Sequence, residues 1–167
     1  MKKFLALCMV LLLIASMAAC TDTPDDNNDI ALKNHTVNYS VNYMGVQIDV
    51  GVEAKDIISK LGDYTSEDGE ACGTNEKDVI YTLSGIEIET HVSGDSEIVR
   101  QIKIVNDSQS TQKGITIGST RDEVISAYGN NYTEGSSGAL RYEGDSSAIE
   151  FHFGVSGNVS NIYIKRK

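Results

Sequence analysis

Two histidines stand in matching surroundings, Glu89-Thr-His91 and Glu150-Phe-His152. Imidazole changes charge between about pH 5 and 8, so two histidines beside carboxylates suggest a metal site or a pH sensor. The plainer reading places both on the polar outer side of a half-buried sheet. Cys72 is the other reactive side chain. It closes the acidic stretch Asp63-Tyr-Thr-Ser-Glu-Asp-Gly-Glu-Ala-Cys72, where carboxylates raise a thiol pKa, the wrong direction for a nucleophile. His91 is the base it would need, and nothing in the spacing brings the two together. A small buried hydrophobe is the default role for such a cysteine. The acids of 63–78 suggest calcium, with a solvated acidic loop as the default. No nucleophile motif, phosphate loop or dinucleotide fingerprint is present. The chain is therefore expected to be a non-enzyme with no catalytic residue, metal or cofactor. The rival is an envelope hydrolase or thiol enzyme using Cys72, and a third option is a small-ligand or metal sensor.

Composition narrows the class. The 167 residues carry a formal net charge of −10, with no Trp and one Pro. So acidic a surface argues against nucleic acid and against a second, electrostatic membrane contact. Forty per cent hydrophobic content suits a modest core. Asn34, Asn38, Asn131 and Asn158 each begin a glycosylation sequon, read as chance matches in an Asn- and Ser-rich chain.

The amino terminus gives an address. Lys2 and Lys3 precede the apolar run from Phe4 to Ile14, and small residues lead to Ala18-Ala19-Cys20. The run is shorter than the roughly 18 residues of a spanning helix. The Leu-Ile-Ala-Ser-Met-Ala-Ala-Cys junction resembles the lipobox of bacterial lipoproteins, with Met17 where that family usually has leucine. The resemblance implies acylation of Cys20, cleavage before it, and lipid anchoring at the extracytoplasmic face of the cell membrane. Cys72 is then the sole free thiol, which excludes an intramolecular disulfide framework or a cysteine zinc site. Residues 1–19 are read as the signal peptide, and 20–34 as the lipidated cysteine with a polar acidic tether. Fully extended, that tether reaches about 45–50 Å.

The elements that must position the candidate residues come from a duplication. Ile48 to Gly62 aligns without gaps on Ile115 to Gly129, Ile86 to Gly94 on Ile149 to Gly157, and Ile102-Lys-Ile104 on Ile162-Tyr-Ile164. Each copy is expected to open with a short strand (Val46, Ile48, Val50; Ile115, Ile117) running into a helix of about ten residues. Ala54, Ile57, Ile58 and Leu61 make one apolar stripe, and Val124, Ile125 and Tyr128 make the other, with the Arg121 stem laid along it. Ser119 or Thr120 caps the second helix, Thr120 and Glu123 having capping-box spacing. Gly62 and Gly129 take the left-handed helix terminus. Strands are expected at 79–83, 86–92 and 98–105, and again at 140–142, 148–155 and 159–165. Hairpin turns fall at 93–95 and 156–158. Alternation turns Ile86, Ile88, Thr90, Val92, Phe151, Phe153 and Val155 inward, and Glu87, Glu89, His91, Glu150 and His152 outward. Val37, Tyr39, Val41 and Tyr43 alternate as an additional strand ending in a Met44-Gly45 turn.

The stretch Gly114-Ile-Thr-Ile-Gly-Ser-Thr-Arg-Asp-Glu-Val-Ile-Ser-Ala-Tyr-Gly129 resembles the tandem repeats of β-lactamase-inhibitory protein, and resembles most nearly a group of small Gram-positive lipoproteins. That likeness implies an α+β fold in which two tandem strand–helix–antiparallel-sheet repeats, 35–110 with the N-terminal strand and 111–167, pack into one domain. It also implies a protein-binding module that uses its sheet surface to grip an envelope or secreted partner. The outward residues Glu87, Glu89, His91, Lys103, Glu150, His152, Tyr163 and Lys165 are the expected contact surface.

Overall fold

The computed structural model describes residues 37–69, 76–135 and 137–167. The expected leader (1–19), Cys20, the expected tether (20–34) and Cys72 lie outside the described residues. β1 (Ser40–Tyr43) and β2 (Val46–Asp49) form an antiparallel hairpin in which Val41 faces Ile48 and both are fully buried. Its turn, Met44-Gly45, has positive φ at both positions (49° and 86°), the backbone twist that two-residue hairpins prefer. β2 leads into α1 (Lys55–Ile58), a single turn. A meander follows: β3 (Thr65–Asp68), β4 (Glu76–Leu83), β5 (Ile86–Ser93) and β6 (Ser96–Ile104). After α2 (Arg121–Tyr128) a second meander runs through β7 (Thr133–Glu134), β8 (Leu140–Glu143), β9 (Ser147–Phe153) and β10 (Val159–Arg166).

The two meanders join edge to edge into one eight-stranded antiparallel sheet of order β3-β4-β5-β6-β10-β9-β8-β7. At the join Gln101 faces Lys165, Ile102 faces Ile164, Lys103 faces Tyr163 and Ile104 faces Ile162. Matched positions make matched bonds. The Gly51 N–H donates to the Val99 carbonyl (2.7 Å) as Gly118 does to Val159 (2.8 Å). The Val99 N–H donates to Val52 (3.0 Å) as Val159 does to Ser119 (2.7 Å).

One face of the sheet is covered. Ile86, Ile88, Val99, Ile102, Ile104, Leu140, Ile149, Phe151, Ile162 and Ile164 pack there against the hairpin, α1 and α2. Tyr128, Tyr142 and Phe151 meet at ring separations of 5.0–6.1 Å and fill the volume that a chain without Trp must fill otherwise. Burial pushes the Tyr128 hydroxyl up to about 12.

The α+β expectation is overturned: the described residues are mostly strand, with two helices of four and eight residues among them. The apolar stripe of the first copy is buried as its spacing implies, yet the helix is only one turn long. Sheet pairing takes its beginning, because residues 51–54 bond to β6, with the Ala54 N–H donating to the Glu97 carbonyl at 2.7 Å. The end tightens into i→i+3 bonds at Lys60 and Leu61.

Other corrections are local. Residues 115–117 form no strand, only an isolated bridge from Thr116 to Ser110, since the second copy has no partner strand equivalent to β1. Val155 is exposed in the β9–β10 turn and does not face inward. β3 and β7 fall in segments that carry no alternating pattern. At α2 the Thr120–Glu123 capping box forms in both directions. Arg121 reaches beyond the stripe, donating to the Gly138 carbonyl (2.8 Å) and pairing with Glu134 (2.9 Å). Gly62 has φ +77°, but Gly129 (φ 87°, ψ −173°) lies outside the left-handed helical region, in one reserved for glycine.

Candidate functional site on the open sheet face

The uncovered face carries the outward half of each alternation. Its centre is a row that crosses five strands: Glu87 on β5, Lys103 on β6, Tyr163 on β10, Glu150 on β9 and Arg141 on β8 stand opposite one another in turn. A parallel row holds Glu89, Gln101 and Lys165. All eight residues expected at the surface, Glu87, Glu89, His91, Lys103, Glu150, His152, Tyr163 and Lys165, therefore share this face. Cross-strand neighbours of opposite charge stabilise such a sheet by a few tenths of a kcal/mol to about 1 kcal/mol each.

The polar side chains are locked to one another. Lys103 Nζ donates to Glu87 at 2.8 Å, and Gln101 donates to Glu89 at 3.1 Å. Glu150 is the hub. Lys165 Nζ approaches it at 2.6 Å, Arg141 pairs with it, and His152 Nε2 stands 3.4 Å away. Burial alone would raise the Glu150 pKa, but the hydrogen bonds from Lys165, Arg141 and His152 outweigh it and hold the carboxyl down at about 2. The His152 ring meets Tyr163 edge-on at 5.1 Å, and Lys165 Nζ lies 5.1 Å from the centre of the Tyr163 ring.

His91 is engaged differently from what its flanking glutamate suggests. Its Nδ1 stands 2.8 Å from Asp78 on β4, and Arg100 reaches the same carboxylate at 3.2 Å. Burial works to raise the Asp78 pKa, and these partners bring it below the usual carboxylate range. His91 and His152 sit on β5 and β9 with β6 and β10 between them, three strand spacings apart across the sheet and about six residues apart along it, on the order of 24 Å in all. They cannot share one metal ion. Among the described residues no three His, Cys, Asp or Glu side chains come together as a metal site.

Sequence reasoning missed Arg141, Asp78, Arg100 and Gln101. Arg141 had a signal, since it alternates with the buried Leu140 and Tyr142. Arg100 had none. It is the extra residue of a bulge opposite Glu89 and Thr90, and bulges leave little trace in a hydrophobic pattern.

No family model matches the chain, and no curated protein matches it. Among solved structures, the fold is similar to that of an extracellular protein containing a SCP domain from Bacillus anthracis str. Ames, with a TM-score of 0.52 at 7% identity. The match covers 71% of this chain and 44% of that one, so this chain spans less than half of its neighbour's length. At that identity the likeness is one of fold alone.

Proposed function

We propose that this chain is an extracytoplasmic lipoprotein, anchored through Cys20, whose open sheet face binds a protein partner. One observation carries the reading. The hairpin and both helices cover one side of the eight-stranded sheet, while the other side presents an interlocked charged row across five adjacent strands. Side chains already fixed by neighbours lose little conformational freedom when a partner arrives. The face is also large enough. Seven strand spacings and about six residues along each strand give roughly 700 Å² in plan, against about 800 Å² per partner in a standard interface. A protein surface, with hydrogen-bonding groups spread over that area, matches the row across five strands better than a small ligand, which would engage only a fraction of it.

The address rests on residues 2–20 alone. No described helix is long and apolar enough to cross a membrane.

The test uses the full-length chain in its own cells, with a photoreactive amino acid in place of Tyr163 or of Gln47 on the hairpin. The expected outcome is a protein adduct from position 163 and none from 47. Adducts at neither position, or at 47 alone, refute the docking face.

A further inference from the structure

The β1–β2 hairpin lies on the covered side of the sheet, and its two strands part after the Ser40–Asp49 pair. Residues 37–39 run to the β8–β9 turn. There the Asp145 N–H donates to the Val37 carbonyl and the Tyr39 N–H to the Ser147 hydroxyl, both at 2.8 Å. Residues 51–54 run to β6 instead, the Gly51 N–H donating to the Val99 carbonyl at 2.7 Å. A crevice of about 430 Å³ opens where they part. That is the size of a small-molecule site, roughly 300–1,000 Å³. We infer that this crevice binds a neutral saccharide of one or two rings. The inference is independent of the docking reading, which concerns the opposite side of the sheet.

The lining combines neutral polar groups with one charge. Asn38, Gln47 and Gln112 bring side-chain amides, Ser40, Ser146 and Ser147 bring hydroxyls, and Asp49 brings a carboxylate. No lysine, arginine or histidine lines it among the described residues. Asp49 accepts from the Gln47 amide at 3.0 and 3.2 Å, its only hydrogen bonds among the described residues. Ser40 and Ser147 are only 3% and 1% exposed. The Ser147 hydroxyl accepts from the Tyr39 N–H, and the Ser40 hydroxyl accepts from the Gln112 amide. Neither hydroxyl has an acceptor for its own proton among the described residues. A donor buried in that way is costly until something accepts from it. Packing does not account for these groups. Val41 and Ile48 turn toward the core, whereas Ser40 and Asp49 stand in the opposite phase of the hairpin. The second half of the chain covers its part of the sheet without such a hairpin.

The occupant must accept from Ser40 and Ser147 and donate to Asp49. An anion accepts but does not donate, and it meets the Asp49 charge with no cation in the lining to offset it. An amine or a metal ion satisfies Asp49 and offers the two hydroxyl protons nothing. An extended peptide does both, but it spreads one N–H and one C=O over each residue's rise of about 3.3 Å. Seven polar side chains crowd this small volume, too densely for that spacing. A hydroxyl donates and accepts at one atom, and a pyranose carries several on neighbouring carbons. Adjacent hydroxyls match the two-atom ends of Asn, Gln and Asp side chains. Tyr39, Val50 and Val52 supply the apolar part of the lining, against which a sugar ring can set its C–H face.

The experiment is saturation-transfer NMR on the full chain, in a detergent without a sugar headgroup. Maltose, lactose, cellobiose and N,N′-diacetylchitobiose are the probes, with spermidine, triglycine and inorganic phosphate as competitors. The expected result is saturable transfer to at least one disaccharide, displaced by none of the competitors at equal concentration. Asp49→Ala should weaken the affinity about tenfold or more, since a charged acceptor is lost. Gln112→Ala should weaken it severalfold. Unchanged thermal unfolding shows that a variant keeps the fold, and Gln112, exposed in the segment before α2, keeps the test open should the Asp49 variant lose it. Absence of transfer to all four disaccharides overturns the inference. So does an affinity that a folded variant leaves unchanged, or displacement by spermidine, triglycine or phosphate.

Discussion

At the residue scale, Glu150 shows how the open face is built. Its side chain is only 13% exposed, yet it stays ionised because Lys165, Arg141 and His152 surround it. Replacing it with Gln removes the charge and leaves two cations facing a weak acceptor. Glu150→Gln should cost about 2 kcal/mol of stability at pH 7, read from urea unfolding. The pH dependence follows from the direction of the shift. A carboxyl whose pKa falls from 4.5 toward 2 on folding stabilises the fold fully above about pH 5, and that contribution is lost as the pH falls toward 2. The gap between wild type and variant should therefore close on acidification, and a gap that stays constant from pH 7 to 2 contradicts the assignment. Much at this scale was legible in the sequence. Alternation alone placed Glu87, Glu89, His91, Glu150 and His152 on the outer face. Partner choice was not legible, because His91 meets Asp78 only through the β4–β5 register, which no local pattern encodes.

Among the elements, six strands follow the hydrophobic alternation closely, from β4 to β6 and from β8 to β10. The two edge strands do not. β3 is Thr-Ser-Glu-Asp and fully exposed, and β7 is the pair Thr133-Glu134. Without buried side chains they leave no periodic trace, and their brevity and charge suit an edge that must not recruit other strands. α1 was misjudged for the opposite reason. Its apolar stripe is real, but tertiary hydrogen bonds from residues 51–54 to β6 take the residues that would have extended it. The end of α2 supplies the test of backbone geometry. A Cβ at Gly129 would meet nothing within 4 Å, so any cost of Gly129→Ala comes from the backbone and not from packing. With φ 87° and ψ −173°, that cost should be about 2 kcal/mol. A lower thermal midpoint with an unchanged urea dependence is the expected signature. A neutral substitution would show that the helix ends in another conformation.

For the whole molecule, the sheet order reads the same inward from either edge, as two four-stranded meanders joined through β6 and β10. The matched blocks of sequence lie at matched places in it, so the organisation was legible even though the fold class was not. What misled was the helix content: two short stripes suggested helical layers, where the protein uses them as partial covers on one continuous sheet. The anchor proposed at Cys20 is tested by a single substitution. Cys20→Ser should accumulate uncleaved precursor or release protein from the membrane fraction. Normal processing with full membrane retention would contradict the anchor. The claim that the open face is occupied in its own setting is tested most directly by the reactivity of one ring. Tyr163 lies in the charged row, whereas Tyr64, 45% exposed, lies beside the edge strand β3. Both can be labelled by a short-lived tyrosine-reactive radical, in intact cells and on the purified full-length chain. Occupation of the open face predicts that Tyr163 labelling drops severalfold in cells while Tyr64 labelling is the same in both. Equal Tyr163 labelling in cells and in purified protein would contradict the docking face.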